Sequence, residues 1–186
     1  MAVIGDATAP MGSRQYEVAM EVGHRLVESG ARVLCGGLGG VMEAACRGAH
    51  AATAYVEGDT IGLLPGFDPA DANPWVDIAI PTGLDHLRNA LVGGADAMIA
   101  IGGGAGTLSE IAFGWMLKRP IVALELGGWG ERLRGVALDA RRAGDAAEGG
   151  VVLAADSASD AVEIALERGK RAVARHRGVV RRGGQR

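Results

Sequence analysis

Hydrophobic residues in this chain gather in short continuous runs. Aliphatic runs fall at residues 2–5, 32–35, 60–64, 97–101, 121–125 and 151–153, most of them closed by glycine, proline or aspartate. A run that is apolar at consecutive positions, without alternation, has both faces covered, as in the interior strands of a parallel sheet. Successive runs start roughly 30 residues apart, which leaves room for a crossover helix between parallel strands. The segments between them have helical rhythm: Ala19, Val22 and Leu26 recur at spacings of three and four. The pattern predicts an α/β fold, a single Rossmann-like doubly wound domain with a mostly parallel sheet of six to seven strands flanked by helices. The seventh strand is residues 77–80, inside a segment (68–81) that carries Pro69, Pro74 and Pro81 and otherwise reads as a surface excursion. Residues 84–94 read as a helix leading into the fourth run. No repeat or linker divides the chain, so residues 1–167 form one domain and residues 168–186 a basic tail, frayed from 177 onward.

A doubly wound sheet binds its ligand beyond the carboxyl ends of the strands where the winding direction reverses, here the first and fourth runs. The first run ends in Gly5-Asp6-Ala7-Thr8. The fourth ends in Gly102-Gly103-Gly104-Ala105-Gly106-Thr107, the densest glycine run in the chain, and a helix follows at once. Backbone N–H groups at the positive end of a helix suit a phosphate, although glycine also serves tight turning alone. A second cluster, Gly36, Gly37, Gly39 and Gly40 followed by Val41-Met42-Glu43, opens another helix after the second run. Met42 stands where the dinucleotide fingerprint G-x-G-x-x-G needs its third glycine, and no lysine follows a glycine as a Walker loop requires. The ligand-binding candidates are Gly102, Gly103, Gly104, Ala105, Gly106 and Thr107 on one loop. Gly36, Gly37, Gly39, Gly40 and Met42 stand on the other, with Thr8 and Asn89 beside them. Thr107-Leu108-Ser109-Glu110 admits two readings: a capping box in which Glu110 reaches back to the Thr107 N–H, or a carboxylate aimed into the crevice for ribose binding or acid–base chemistry. Arg88 is the cation placed to offset such a carboxylate and a phosphate. The helix around Phe113, Gly114, Trp115 and Met116 is apolar on every side and needs burial all round, under the domain's own tail or, the favoured reading, in a homodimer.

Composition narrows the chemistry. Glycine supplies 31 of 186 residues, about 17% against an ordinary ~7%, as expected of several ligand loops and tight turns. Lysine occurs only at 118 and 170. Two cysteines, Cys35 and Cys46, and four histidines at no ligand spacing provide no metal site and no disulfide framework, consistent with a reducing cytoplasm. No stretch approaches the ~20 apolar residues of a membrane span, and no signal sequence opens the chain. Residues 1–167 hold 22 acidic and 11 basic residues, whereas 168–186 hold eight basic and none acidic. That tail lacks interleaved aromatics and reads as a solvated end, not as a nucleic-acid arm.

The run Gly103-Gly104-Ala105-Gly106-Thr107-Leu108-Ser109-Glu110 resembles the G-G-x-G-T-x-x-E motif of the Lonely Guy (LOG) family, long labelled "possible lysine decarboxylase". Residues 35–49, 60–65, 73–89 and 96–120 resemble more closely the branch of molybdenum-cofactor carrier homologues, and the similarity extends to about residue 165. The resemblance implies a dimeric Rossmann-like domain. It also implies phosphoribohydrolase activity, cleavage of the N-glycosidic bond of a purine nucleoside 5′-monophosphate without a cofactor, with Arg88 and Glu110 as the catalytic pair and the glycine loop with Thr107 on the phosphate. Where LOG enzymes carry Pro-Gly-Gly and Arg-Lys, this chain has Gly102-Gly103-Gly104 and Arg88-Asn89, both in the carrier-like pattern. The alternative implied is therefore a non-catalytic carrier of molybdenum cofactor or a similar phosphorylated pterin. Lysine decarboxylation does not fit, because Lys118 stands at the far end of its helix, away from the crevice.

Overall fold

The computed structural model describes residues 1–140 and 150–174. Seven strands, β1 (Ala2–Gly5), β2 (Val33–Cys35), β3 (Thr60–Leu64), β4 (Ile78–Pro81), β5 (Met98–Ile101), β6 (Ile121–Leu124) and β7 (Leu153–Ala155), form one sheet. Their order is β4-β3-β2-β1-β5-β6-β7 and every pairing is parallel. All six hydrophobic runs and the short run at 77–80 contribute strands. The last strand begins later than its run because Val152 exchanges hydrogen bonds with Gly135 and Val136 instead of joining β6.

Helices α1 (Arg14–Glu28), α2 (Val41–His50) and α6 (Ala158–Ala174) cover one face. Helices α3 (Asn89–Val92), α4 (Ala105–Met116) and α5 (Gly128–Leu133) cover the other. Side chains of the central strands divide between them: Val3, Ile99 and Ile101 face the first layer, and Ile4, Met98 and Ala100 the second. This is why the runs are continuously apolar. α1 and α2 pack backbone to backbone, since a Cβ on Gly23 would strike the Ala45 carbonyl and one on Gly48 the Met20 carbonyl.

One expectation is corrected. Residues 84–94 are not one helix: a 3-10 turn (Asp85–Arg88) precedes the single turn of α3. Asp85 has φ of +49°, outside the right-handed α region, so an α-helix cannot run through it. Gly93 then lies so tightly on α4 that a Cβ there would sit 2.8 Å from that of Phe113. α4, apolar all round, is covered by its own chain on one side only. Ile111, Gly114 and Trp115 are buried, but Met116 is 64% exposed. α6 ends at Ala174, and residues 175–186, which include the frayed end expected from 177, lie outside the described residues.

Candidate functional site

β1 and β5 are adjacent, and the loops beyond their carboxyl ends form the crevice that the winding reversal requires. After Ile101 the chain reverses through Gly102 (φ +65°) and Gly103 (φ +92°), conformations that favour glycine, and enters α4 at Gly104. Gly104, Ala105 and Gly106 are exposed, and no atom lies within 4 Å of a Cβ built on Gly104 or Gly106. The carbonyls of Gly102 and Gly103 accept hydrogen bonds from the N–H groups of Gly130 (3.0 Å) and Trp129 (2.9 Å) at the start of α5. In a trans peptide the C=O and the following N–H point in opposite directions. The N–H groups of Gly103 and Gly104 are therefore turned away from α5. Among the described residues, the N–H groups of residues 103–106 have no protein acceptor. N–H groups without a protein acceptor at the positive end of a 12-residue helix can receive an anion.

The capping-box reading of Thr107 and Glu110 does not hold. Gly104 is the N-cap and makes no side-chain bond, Thr107 donates through Oγ1 to the Gly5 carbonyl at 3.1 Å, and Glu110 lies in the second turn. Thr107 thus ties the start of α4 to the end of β1. Glu110 instead accepts from Arg88, Nη1 to Oε1 at 3.2 Å, and both side chains are more than nine-tenths buried. Gly36 lies flat against the Arg88 guanidinium, leaving no space for a Cβ, and Arg88 Nε is buried with no acceptor. Burial raises the Glu110 pKa to about 7, because desolvation outweighs the opposing charge and hydrogen bond of Arg88.

The second loop, residues 36–40, faces the first across the end of β1. Gly37 and Gly40 have φ of +76° and +61°. A Cβ on Gly40 would collide with the Asp6 carbonyl, which accepts from the Val41 N–H at 2.9 Å, and one on Gly39 would press on Ala7 at 3.2 Å. Of the other candidates, Asn89 donates to Ser109 Oγ at 2.7 Å, and Ser109 in turn donates to the Gly106 carbonyl, so this pair braces the first turn of α4. Thr8 sits on the exposed rim, bonded through N–H and Oγ1 to Asp6 Oδ1. Met42 packs into the core under α1. The structure therefore gathers Arg88, Glu110, Thr107, Gly36 and the 102–106 loop, places Thr8 at the edge, and takes the Met42 side chain elsewhere.

Three contributors escaped the sequence analysis. The amides of Trp129 and Gly130 orient the 102–104 peptides; their signal was the Gly127-Gly128 pair after the fifth run. Gln15 packs on Gly102 and donates to the Leu126 carbonyl at 2.6 Å. Asn73 donates to both Gly37 and Leu38 carbonyls. Neither side chain had a readable pattern. Among the described residues no group of three or more His, Cys, Asp or Glu could hold a metal ion, and no helix is long and apolar enough to cross a membrane.

A sequence profile described as the SLOG cluster4 family matches residues 1–149. The chain belongs to the SLOG cluster4 family. The LOG-type motif read from residues 103–110 lies inside the matched span. An uncharacterized protein of Archaeoglobus fulgidus is 38% identical over 111 residues, 59% of this chain and 70% of that one. Among solved structures the fold is similar to TM1055, with 30% identity, a TM-score of 0.75, and 89% of this chain and 97% of that one covered. It is likewise similar to the molybdenum cofactor binding protein of Rippkaea orientalis (30% identity, TM-score 0.71, coverage 89% and 94%). The molybdenum cofactor carrier protein of Chlamydomonas reinhardtii gives 28% identity, a TM-score of 0.69 and coverage of 93% and 97%.

Proposed function

We propose that this protein is a binding protein of the carrier type for a phosphorylated heteroaromatic small molecule, with the molybdenum cofactor as the leading ligand. The observation that carries the reading is the open set of N–H groups at residues 103–106. These groups fit the terminal phosphate of such a ligand, and the likeness to two molybdenum-cofactor proteins favours a pterin over a purine nucleotide. Binding stands ahead of hydrolysis because the Arg88–Glu110 pair is more than nine-tenths buried against Gly36, so a substrate would have to displace that cover to reach it. In this reading the pair is an electrostatic floor to the crevice: Arg88 carries the positive charge, and a Glu110 that is neutral about half the time at pH 7 repels a phosphate less than a fixed carboxylate would.

One observation favours the second reading, a phosphoribohydrolase. A carboxyl group with a pKa near 7 beside an arginine is suited to acid–base chemistry at neutral pH. The two readings separate in one experiment. Purified protein is mixed with stoichiometric molybdenum cofactor, or with AMP and other nucleoside monophosphates, and both co-elution of ligand and released base are measured. The variant Ala105→Glu serves as control: an acidic residue in the first turn suits the helix dipole and preserves the fold, but its carboxylate opposes an anion on the free amides. The carrier reading expects stoichiometric retention of intact cofactor, weakened at least about tenfold in Ala105→Glu, and no release of base. Catalytic release of base, lost in Arg88→Ala and Glu110→Ala, would replace it with hydrolysis.

A further inference from the structure

We infer that Asn73 is a positioning residue: it fixes the loop of residues 36–40 and, through Gly36, holds the Arg88 guanidinium in place. Asn73 lies in the proline-rich excursion between β3 and β4, far in sequence from any glycine loop, yet it is buried. Its backbone N–H donates to the Gly37 carbonyl at 2.8 Å. Its Nδ2 donates to the same carbonyl at 3.2 Å and to that of Leu38 at 2.9 Å. Its Oδ1 accepts from the Trp75 N–H at 3.1 Å, which fixes the orientation of the amide. The opposite side of the loop is closed as well. The Gly37 N–H donates to Cys35 Sγ at 3.3 Å, and Gly37 lies against β3 so closely that a Cβ would be 2.6 Å from Leu64 Cδ2.

Asn73 thus saturates two consecutive carbonyls of a loop that has no regular secondary structure. An asparagine is required for this, because one side chain must donate twice and accept once from a buried position. The loop it holds supplies Gly36, where a Cβ would fall on the guanidinium of Arg88, so the two are in close contact. Releasing residues 36–38 removes that contact, admits water to the buried ion pair and lets Arg88 swing. The excursion is therefore the outer support of the crevice, and its consequence for ligand affinity rests on the function proposed above.

The test compares Asn73→Ala with Tyr55→Phe. The second variant removes another hydrogen bond of the same region, Tyr55 Oη to Asp77 Oδ1, with no bond to the glycine loop, and controls for loss of stability alone. Two readouts need no ligand: the titration midpoint of the Glu110 carboxyl followed by NMR, and amide exchange at residues 36–40. Asn73→Ala should lower the midpoint by about one unit as water enters and speed exchange in the loop about tenfold or more, while Tyr55→Phe changes neither. Asn73→Asp, which keeps the acceptor but sets a carboxylate against two carbonyls, should match or exceed Asn73→Ala. With the molybdenum cofactor as probe, Asn73→Ala should weaken retention about tenfold. An unchanged Glu110 midpoint and unchanged loop exchange in a folded Asn73→Ala protein would overturn the inference. Failure of wild-type protein to retain cofactor would overturn the proposed function instead, leaving the two ligand-free readouts to judge Asn73.

Discussion

Glu110 is the residue whose chemistry departs furthest from its ordinary state. Its carboxyl is buried against Arg88 and titrates near 7, above the 4.5 of a free glutamate. Between those two values the folded protein holds a proton that the unfolded chain has lost. Folded stability therefore falls as pH rises through this window and levels off above it, by roughly 3 kcal/mol at most. Glu110→Gln abolishes the titration and, above about pH 7 where Glu110 is ionised, also leaves Arg88 buried without its counter-charge. The slope is the diagnostic quantity. Denaturant unfolding from pH 5 to 8 should show a declining stability in wild type and a flatter profile in Glu110→Gln; equal slopes would mean that Glu110 titrates outside this window. Arg88 and Glu110 stood out in the sequence through the polar segment entering the central strand and the T-x-x-E spacing, each with a purely structural reading beside it. Their mutual ion pair was not legible. Twenty-two residues separate them, and only the β5 crossing brings them together.

At the scale of elements, the sequence was most readable where burial is two-sided. Every apolar run contributes a strand, and the glycine-rich ends of β1, β2 and β5 mark the crevice because parallel winding puts all strand carboxyl ends on one edge. The capping-box reading stood open beside the other because a T-x-x-E spacing is common to a helix start and a helix interior. What decided between them was the Gly103 turn, which moves the start of α4 to Ala105 and sends Thr107 to the Gly5 carbonyl. The helix expected over 84–94 failed for a similar reason, a positive φ at Asp85 that composition does not announce. The turn at Gly103 carries its own prediction. Gly103→Ala would force a non-glycine residue to φ +92° and drive its Cβ into Thr107, so the variant should lose about 2 kcal/mol or more in thermal or chemical unfolding. Gly106→Ala, in helical backbone with open space, should lose none. Equal stability of the two variants would mean that the 102–104 turn is not held as described.

For the whole molecule, charge and surface make opposite demands. Residues 1–167 carry an excess of 11 acidic groups, which repels an anionic ligand at long range. That repulsion is screened beyond about 8 Å at physiological salt. In the proposed function a phosphate would be held by short-range donors at one helix end, with no help from the overall field. The apolar surface points to a partner of the same kind. Leu87 and Leu91 on one side, and Met116 and Leu117 at the end of α4 on the other, are exposed on neighbouring elements. Apolar residues exposed on adjoining elements mark the place where a partner surface is expected, and a two-fold axis lets one surface cover its own copy. We expect a homodimer joined through α3 and α4. Light scattering should return twice the 19.0 kDa chain mass at micromolar concentration. Met116→Glu, at a position with ample exposure and therefore no cost to the fold of the single chain, should return one chain mass with an unchanged circular dichroism spectrum. A wild-type mass of one chain would remove the dimer, and a dimer indifferent to Met116→Glu would move the interface to the other exposed apolar edge, where Ile78 and Ile80 line β4.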